Sequence, residues 1–289
     1  LIEENVERYP EARLFPARTI SGTAFKTASR IDYPAPTFRL VNEGVETLKS
    51  TYQEKLVETF YLDGQLEVDE ALADADNGDI ADLMTLEAEG MVKGALRTIG
   101  KQVWAGTAND AKGFPGAVAI VPSTLVVDAG GTTATTGSSV YLVLFGQQNS
   151  QLIFGKGNVL TMTPWFRQRI DRSSKHLMAW LSNVAGWIGV QWVNPYCVGR
   201  IRDITEDSGK GLTDSLISDL IAKFPADVDM GSARMFMTRR SARQLQKSRT
   251  PTSNTSGNAS SMPTAAWPTD SNGIPIEQTS SLTDVEALS

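Results

Sequence analysis

The sequence is poor in the residues on which most enzymes and metalloproteins depend. It contains one histidine, His176, and one cysteine, Cys197. A single cysteine excludes a disulfide within the chain and any metal site built from cysteines, and we expect Cys197 to be a small buried hydrophobe in a strand. No run of about 18 apolar residues occurs, so no segment is predicted to span a membrane.

Sequence motifs for catalysis are missing as well. A serine–histidine–aspartate triad would have to use His176, which we expect at the surface or in a supporting role behind other residues, and there is no GxSxG, HExxH, GxGxxG or phosphate loop. The stretch DADNGD resembles a calcium loop, but Gly78 and Thr85 stand where ligands are required. We therefore predict no catalytic, cofactor-binding or metal-binding residues, no cofactor and no enzymatic activity.

Positive charge is in the minority, and the two signs are separated along the chain. There are 27 lysines and arginines against 33 acids, a net charge of −6, which argues against wrapping nucleic acid through bulk charge. The stretch 67–89 carries nine acids and no base, whereas the stretch 234–249 carries bases and no acid. Three interpretations remain open: two solvated faces, two surfaces that meet across a subunit contact, or a nucleic-acid contact by the basic stretch. For a subunit contact, the candidate basic residues are Arg239, Arg240, Arg243, Arg167, Arg169 and Arg172.

The first 75 residues hold an arm and a ribbon. Residues 1–38 contain four prolines and no sustained period, yet apolar residues recur, so we expect an arm that lies on its own body or on a neighbour. These apolar residues are Leu14, Phe15, Ile20, Phe25, Ile31, Tyr33 and Phe38. Residues 39–75 resemble a hairpin with Asp63-Gly64 as its tight turn. Such a ribbon buries little alone and needs a surface on which to rest.

A long helix is predicted at residues 79–104, where apolar residues recur every three or four positions. Asp76 or Asn77 can cap it. We expect Met91, Ala95 and Ile99 to face a sheet, and a close neighbour at Gly90 and Gly94. The predicted apolar face comprises Ile80, Leu83, Met84, Met91, Val92, Ala95, Leu96, Ile99 and Val103.

Most of residues 114–205 favour strands, including GAVAIVPSTLVVDAGG, although HLMAWLSNVAG also fits a helix. In GWIGVQWVNPYCVGRI we expect one long strand, kinked at Pro195, with a closely approached face at Gly189 and Gly199 and with Trp187 and Trp192 in the core. Residues 211–249 predict two helices, one capped by Thr213, separated by a strand at RMFM. IPIEQTSSL predicts a final strand.

This order of elements resembles the major capsid proteins of tailed bacteriophages, which have the Hong Kong 97-like fold. The resemblance covers nearly the whole chain and is carried by PARTISGTAFKTASR, FRLVNEGVETLKSTYQEKLVETFYLDG, SVYLVLFG, GWIGVQWVNPYCVGRIRDIT and GLTDSLISDLIAKFP. It departs from the type member in one respect: the long strands precede the axial helices, which looks like the rearranged connectivity of some phage coats.

The resemblance implies an α+β fold with four parts. They are an N-terminal arm at 1–30, an extended loop at 39–75, a peripheral domain at 31–38 and 76–205 with its spine helix at 79–104, and an axial domain at 206–289. It also implies a structural protein that self-assembles into the icosahedral shell around a double-stranded DNA genome. The chain would be made in the bacterial host cytoplasm and would end in the virion capsid.

The implied partners are other copies of the chain in pentamers and hexamers. A portal, a scaffolding or cement protein, and packaged DNA held by weak non-specific contact would join them, with no membrane. Two alternatives remain: the shell of a bacterial nanocompartment, which shares the fold but packages enzymes, and a soluble α/β enzyme. A cargo-peptide pocket on the inner face would indicate the first, and a concave polar site the second.

Overall fold

A computed structural model describes residues 9–71, 80–173, 175–249 and 265–288. In these residues helices and strands mix without regular alternation, as the α+β prediction requires. The helices are α1 (Pro10–Leu14), α2 (Ile80–Ala105), α3 (Ala117–Ile120), α4 (Asp214–Ala222) and α5 (Arg239–Ser248). The strands are β1 (Ala17–Thr19), β2 (Ala24–Asp32), β3 (Thr51–Glu58), β4 (Phe60–Asp69), β5 (Val126–Asp128), β6 (Ser138–Leu144), β7 (Ser150–Phe154), β8 (Thr161–Met162), β9 (Phe166–Arg172), β10 (Lys175–Trp192), β11 (Val198–Ile204), β12 (Ala233–Met237), β13 (Asp270–Ser271) and β14 (Ile274–Gln278).

The first sheet is built around β10, a strand of 18 residues. Its order is β1-β7-β10-β4, and β8 and β9 also pair with β10. The antiparallel register with β4 sets Trp180 opposite Val68 and Ile188 opposite Phe60. The segment that also fitted a helix, HLMAWLSNVAG, is therefore strand, because its backbone is paired along its length.

The second sheet has the order β13-β14-β12-β6-β11-β5, and all seven residues of β6 are buried. Its two faces serve different cores, since side chains alternate along a strand. Val140 and Leu142 face the core that α4 and α5 complete. Tyr141 and Val143 face the core that is shared with α2 and the first sheet. The two sheets are thus joined through common packing.

Helix α2 packs its apolar stripe against both sheets. Val92, Leu96, Ile99 and Val103 are buried, as the three- and four-residue spacing predicted. Of the residues expected to face a sheet, Ile99 is buried, while Met91 and Ala95 are half-buried against the smaller core around Val184. The expected cap at Asp76 or Asn77 lies outside the described residues.

The glycines of α2 correct one prediction. A Cβ added at Gly90 or Gly94 would meet nothing within 4 Å, so the expected close neighbour within the chain is wrong at both. Gly100 is the tightly packed position instead, because a Cβ there would lie 2.3 Å from the Ser281 hydroxyl oxygen.

The stretch GWIGVQWVNPYCVGRI is two strands and not one. β10 ends at Trp192, the chain turns around Pro195, and β11 begins at Val198 in the other sheet. The expected close approaches are confirmed, since a Cβ at Gly189 would lie 2.4 Å from the Glu58 carbonyl oxygen and one at Gly199 would lie 2.9 Å from the Phe224 ring. The expected core position is confirmed for Trp192 only.

Trp187, in contrast, is half-buried. Its ring tilts against that of Tyr61, with 5.2 Å between the ring centroids. The strand prediction for GAVAIVP is also wrong in part, because Ala117–Ile120 form the single helical turn of α3 before β5 begins.

The hairpin predicted at residues 39–75 is wrong in its pairing. Asp63-Gly64 is not a turn but the middle of β4, where Gly64 lies opposite Val184. A Cβ at Gly64 would lie 2.8 Å from the terminal methyl of Met91, so this glycine admits α2. The actual two-stranded ribbon is β2 with β3, from Ala24 opposite Glu58 to Asp32 opposite Thr51.

The helical module beyond residue 206 is confirmed in its elements. Thr213 caps α4 by accepting from the Leu216 amide, and Thr238 caps α5 by accepting from the Ser241 amide. The boundary expected between residues 205 and 206 stays a prediction, but it divides the second sheet, because β6 before it pairs with β12 beyond it. None of the helices in the described residues has both the length and the apolar character of a transmembrane span.

Candidate assembly surfaces

The ribbon projects from the body and ends in an irregular tip. Between β2 and β3, residues 33–49 form no regular element and are exposed throughout. A turn organises part of this tip: the Glu43 amide donates to the Leu40 carbonyl at 3.2 Å, and the Leu40 amide donates to the Glu43 carboxylate at 3.0 Å. Asn42 takes the left-handed backbone conformation that asparagine tolerates in turns. The tip therefore holds local structure without covering its apolar side chains.

The apolar side chains of the ribbon are unusually exposed. Of the 18 exposed large apolar side chains among the described residues, nine lie between positions 31 and 56. They are Ile31, Tyr33, Phe38, Leu40, Val41, Val45, Leu48, Tyr52 and Leu56. A concentration of exposed apolar side chains on this scale is typical of an interaction surface.

The base of the ribbon is fixed to the body. The Thr59 amide and hydroxyl both donate to the Thr23 carbonyl at 2.8 Å, and the Lys55 ammonium donates to the Val193 carbonyl at 3.0 Å. Val57 is buried with Ile20 and Ile153 in a small core of its own. The ribbon thus leaves the body from a defined anchor.

The arm is divided between body and ribbon. Phe15 is buried, with its ring centroid 4.8 Å from that of Phe145 and 6.0 Å from that of Trp192. The carboxylate of Glu11 is buried as well, and it accepts from the Trp104 indole at 2.8 Å and from the Thr279 hydroxyl. Of the apolar residues expected to lie on a body or a neighbour, Phe15 and Ile20 pack within the chain, while Ile31, Tyr33 and Phe38 do not.

A half-open cleft of about 170 Å³ lies between the start of β4, the second half of α2 and the loop 110–114. Its walls include Phe60, Leu62, Ile99, Phe114 and Ile188. The rim is polar, with Asp63, Asp110 and Lys112. The arrangement suits an apolar side chain with a polar neighbour rather than a charged small molecule.

Several of the separated charges find partners inside the chain. Arg167 makes two hydrogen bonds to Glu70, at 2.7 and 3.1 Å, so this ion pair forms within a single subunit. Arg249 pairs with Asp214 at 2.8 Å. Arg240 donates to the carbonyls of Asp284 and Thr136 at 3.0 and 2.7 Å. These charged residues therefore have partners within the chain, and their pairing does not require a neighbouring subunit.

The remaining bases of α5 form one row. Arg239, Arg243 and Lys247 are exposed at four-residue intervals, and among the described residues none of them has a polar partner. The opposite face of α5 packs Ala242 and Leu245 into the core. We call these three residues the basic row. The acids that could meet it between 72 and 79 lie outside the described residues.

Asp207 joins two loops of the second sheet. Its carboxylate accepts from the hydroxyls of Thr133 at 2.6 Å and Thr205 at 2.9 Å, and from the amides of Thr132 and Thr133 at 3.0 and 3.1 Å. These donors hold the pKa of Asp207 far below its usual value, and the hydrogen bond from the Thr133 hydroxyl has the largest effect. The loop before β6 is thereby fixed to the loop after β11.

The residues considered for chemistry are not brought together. Cys197 is buried in the shared core, just before β11, and burial raises the pKa of its thiol to about 12. His176 is exposed and lies beside Asp171. Within the described residues, no three histidines, cysteines or acids are grouped so that they could hold a metal ion. The calcium-loop resemblance at 74–79 lies outside those residues.

The family model for the major capsid protein GP7 matches residues 17–288. No curated protein matches the chain. Among solved structures, that of bacteriophage Epsilon15 is 20% identical, covers 91% of this chain and 84% of its own, and superposes with a TM-score of 0.66. The two chains therefore share a fold.

More distant structures match over about two thirds of the chain. One from Mycobacterium phage Adephagia is 9% identical, covers 65% of this chain and 88% of its own, and has a TM-score of 0.48. The SrpI encapsulin from Synechococcus elongatus PCC 7942 is 8% identical, covers 67% and 86%, and has a TM-score of 0.44.

Proposed function

Because the chain belongs to the major capsid protein GP7 family, and is thus a structural protein of a tailed-phage head shell, we propose that its ribbon holds neighbouring subunits together. The chain has the Hong Kong 97-like fold and assembles with copies of itself. The observation that carries the proposal is the concentration of nine exposed apolar side chains on the ribbon, which the subunit itself does not cover.

The energetics favour contacts in large numbers. Full burial of one leucine- or tyrosine-sized side chain is worth roughly 1.5–3 kcal/mol, so several together outweigh the cost of ordering an irregular tip. A closed shell repeats the same contact around every subunit, and each contact made raises the effective concentration of the next. Weak individual contacts therefore suffice.

The proposed organisation keeps four parts and redraws their limits from the strand pairing. The N-terminal arm begins the chain and is rooted at Phe15. The extended loop is the ribbon from Ala24 to Glu58. The peripheral domain is the first sheet with α2, and the axial domain is the second sheet with α4 and α5.

Further partners form part of the proposal. Subunits group into pentamers and hexamers, a portal joins the shell, and a scaffolding or cement protein assists. Packaged double-stranded DNA is held only weakly, since the net charge is −6 and several arginines pair within the chain. The chain is made in the host cytoplasm, ends in the virion and performs no catalysis.

The test changes the tip and leaves the body intact. In the double variant Leu40→Asp with Val41→Asp, both side chains are exposed, so we expect the melting temperature of the subunit to stay within about 2 °C of the parent. Electron microscopy should show no shells. The matched control is Leu40→Val with Val41→Leu, which keeps the tip apolar and should assemble. Normal shells from the aspartate variant would overturn the proposal.

A further inference from the structure

We propose that the cleft beside α2 is a receptor for the ring of Phe38 from a second copy of this chain. The inference rests on the proposed function of the ribbon and goes beyond it, because it names the side chain that enters and the site that receives it. The size of the cleft, the chemistry of its walls and the form of the tip each support it.

The size of the cleft fits one aromatic ring. Its volume is about 170 Å³, and an apolar cavity of about 150 Å³ is known to bind benzene. The walls include Phe60, Leu62 and Phe114, so an incoming ring meets aromatic and aliphatic surface. Ring pairs at edge or offset geometry add to the free energy of burial.

Phe38 is the most exposed aromatic side chain among the described residues. Its exposure is 108%, against 69% for Tyr33 and 56% for Tyr52. A phenylalanine in water on an irregular tip contributes nothing to its own fold, so its apolar area is fully available for a partner.

The backbone before Phe38 is stiff. Pro34 and Pro36 fix their own φ angles and bias the preceding residues towards extended conformations. A segment with fewer accessible conformations loses less entropy when it docks. The sequence YPAPTF is thus a short, stiff stalk that ends in an aromatic ring.

Charge at the rim matches the residue that follows. Arg39 comes directly after Phe38, and one of its guanidinium nitrogens donates to the Glu43 carbonyl at 2.7 Å, which holds the group on the turn at the tip. The rim of the cleft carries two acids, Asp63 and Asp110, and one base, Lys112, so its charge is negative on balance. With Phe38 seated, a guanidinium would approach acids, which favours a single orientation of the tip.

The decisive experiment is photo-crosslinking in assembled shells. The photoreactive amino acid p-benzoylphenylalanine replaces Phe38 in one preparation and Val45, also on the tip, in a matched control. After irradiation, mass spectrometry maps the bonds. We expect position 38 to attach to peptides of another copy that contain 60–63, 98–102, 110–114 or Ile188, and position 45 to attach elsewhere on another copy.

The outcomes separate the two proposals. Intermolecular bonds from position 38 to any other region overturn the receptor assignment and leave the ribbon as the connecting element. Shells with no intermolecular bonds from either position overturn both. Bonds from position 38 to a second kind of protein, or to DNA, also overturn the receptor assignment.

Two variants test the same contact without a probe. Phe38→Ala removes the ring that enters the cleft. Thr98→Trp, at an exposed residue of the cleft wall, fills the cleft of the receiving subunit with a different ring. Each should slow assembly at least about ten-fold, as loss of a buried aromatic anchor does, while the subunit melting temperature stays unchanged. Phe38→Tyr is the conservative control and should assemble. Combining the two variants should slow assembly no further than either alone. Parental rates for Phe38→Ala would overturn the assignment.

Discussion

In β6 every residue from Ser138 to Leu144 is buried, whereas in the ribbon Tyr52 and Leu56 stand more than half exposed although they too alternate along a strand. The difference lies in what covers each strand. β6 is paired on both edges and packed on both faces, while β2 and β3 pair only with each other among the described residues. The same alternation therefore buries apolar side chains in one place and leaves them exposed in the other.

This contrast separates stability from assembly within one chain. The body contains the packed rings of Trp104, Tyr141 and Phe236, so changes there act on the folded subunit. The exposed apolar side chains of the ribbon contribute little to the stability of the isolated subunit. Substitutions can therefore be ranked by how strongly they affect the isolated subunit.

The largest effect is expected for Trp104→Ala. The side chain is 1% exposed, its ring centroid lies 5.0 Å from that of Tyr141, and its indole binds Glu11. Its loss leaves a cavity and removes one of the two hydrogen bonds that the buried Glu11 carboxylate accepts, which costs about 3–5 kcal/mol. Urea unfolding of the subunit measures it. The control is Trp267→Ala, with the side chain 40% exposed, which should cost far less. Equal losses of unfolding free energy in the two variants would contradict the distinction between buried and exposed aromatic side chains.

A smaller effect is expected at the junction of ribbon and body. Gly189→Ala places a Cβ 2.4 Å from the Glu58 carbonyl oxygen, and the backbone at the ribbon base must shift, at a cost of about 1–3 kcal/mol. Gly90→Ala is the control, since nothing lies within 4 Å of the new methyl and alanine favours helix by about 1 kcal/mol. Melting temperatures should move in opposite directions. A shift of the same sign for both would contradict the packing at the base.

A pH-dependent effect is expected for Asp207→Ala. Because the folded pKa is lowered, the contribution of Asp207 is complete above its usual pKa of 3.8 and is lost as the pH falls below that value. Urea midpoints of parent and variant should differ at pH 6 and converge as the pH falls below about 4. Glu206→Gln, the exposed neighbour, is the control and should show no such convergence. A pH-independent difference would mean that the carboxylate charge is not what joins the loops.

The smallest effect on the subunit is expected for reversal of the basic row to glutamate. These side chains are exposed and without polar partners among the described residues, so stability should change by less than about 0.5 kcal/mol. If the row meets acids of a neighbour, assembly slows at low salt and the difference disappears at high salt. Unchanged kinetics at every salt concentration would leave the row as a solvated face.

Local sequence patterns predicted where helices and strands lie better than they predicted which strands pair with one another. The spacing of Val92, Leu96 and Ile99 is enough to predict α2, and Thr213 marks the start of α4, because helix signals act within a few residues. Strand pairing is set by distant segments. Asp63-Gly64 satisfied the local chemistry of a turn, yet pairing with β10 and packing of Met91 keep it extended.

The candidate assembly surfaces were likewise predictable only where they depend on local sequence. The sequence indicated an arm with recurring apolar residues, but it did not reveal that Phe15 enters the core while Phe38 remains outside. That division depends on Trp104, Phe145, Trp192 and Phe236, which are far apart in the chain and together form the pocket for Phe15. The residues that line the cleft come from separate segments of the chain, including 60–63, 98–102 and 110–114, so no single stretch of sequence predicted it.

The fixed base of the ribbon makes it a lever. β2 has nine residues, which at about 3.3 Å each gives an arm of roughly 30 Å. A tilt of about 10° at Thr59 and Lys55 then displaces the tip by roughly 5 Å, with both strands intact. If subunits meet at slightly different angles, a small rotation of the whole ribbon about its anchor would keep the proposed contact at the tip without bending either sheet. A subunit with a rigid body and a ribbon that rotates about its base could thus form part of a shell whose curvature varies from place to place.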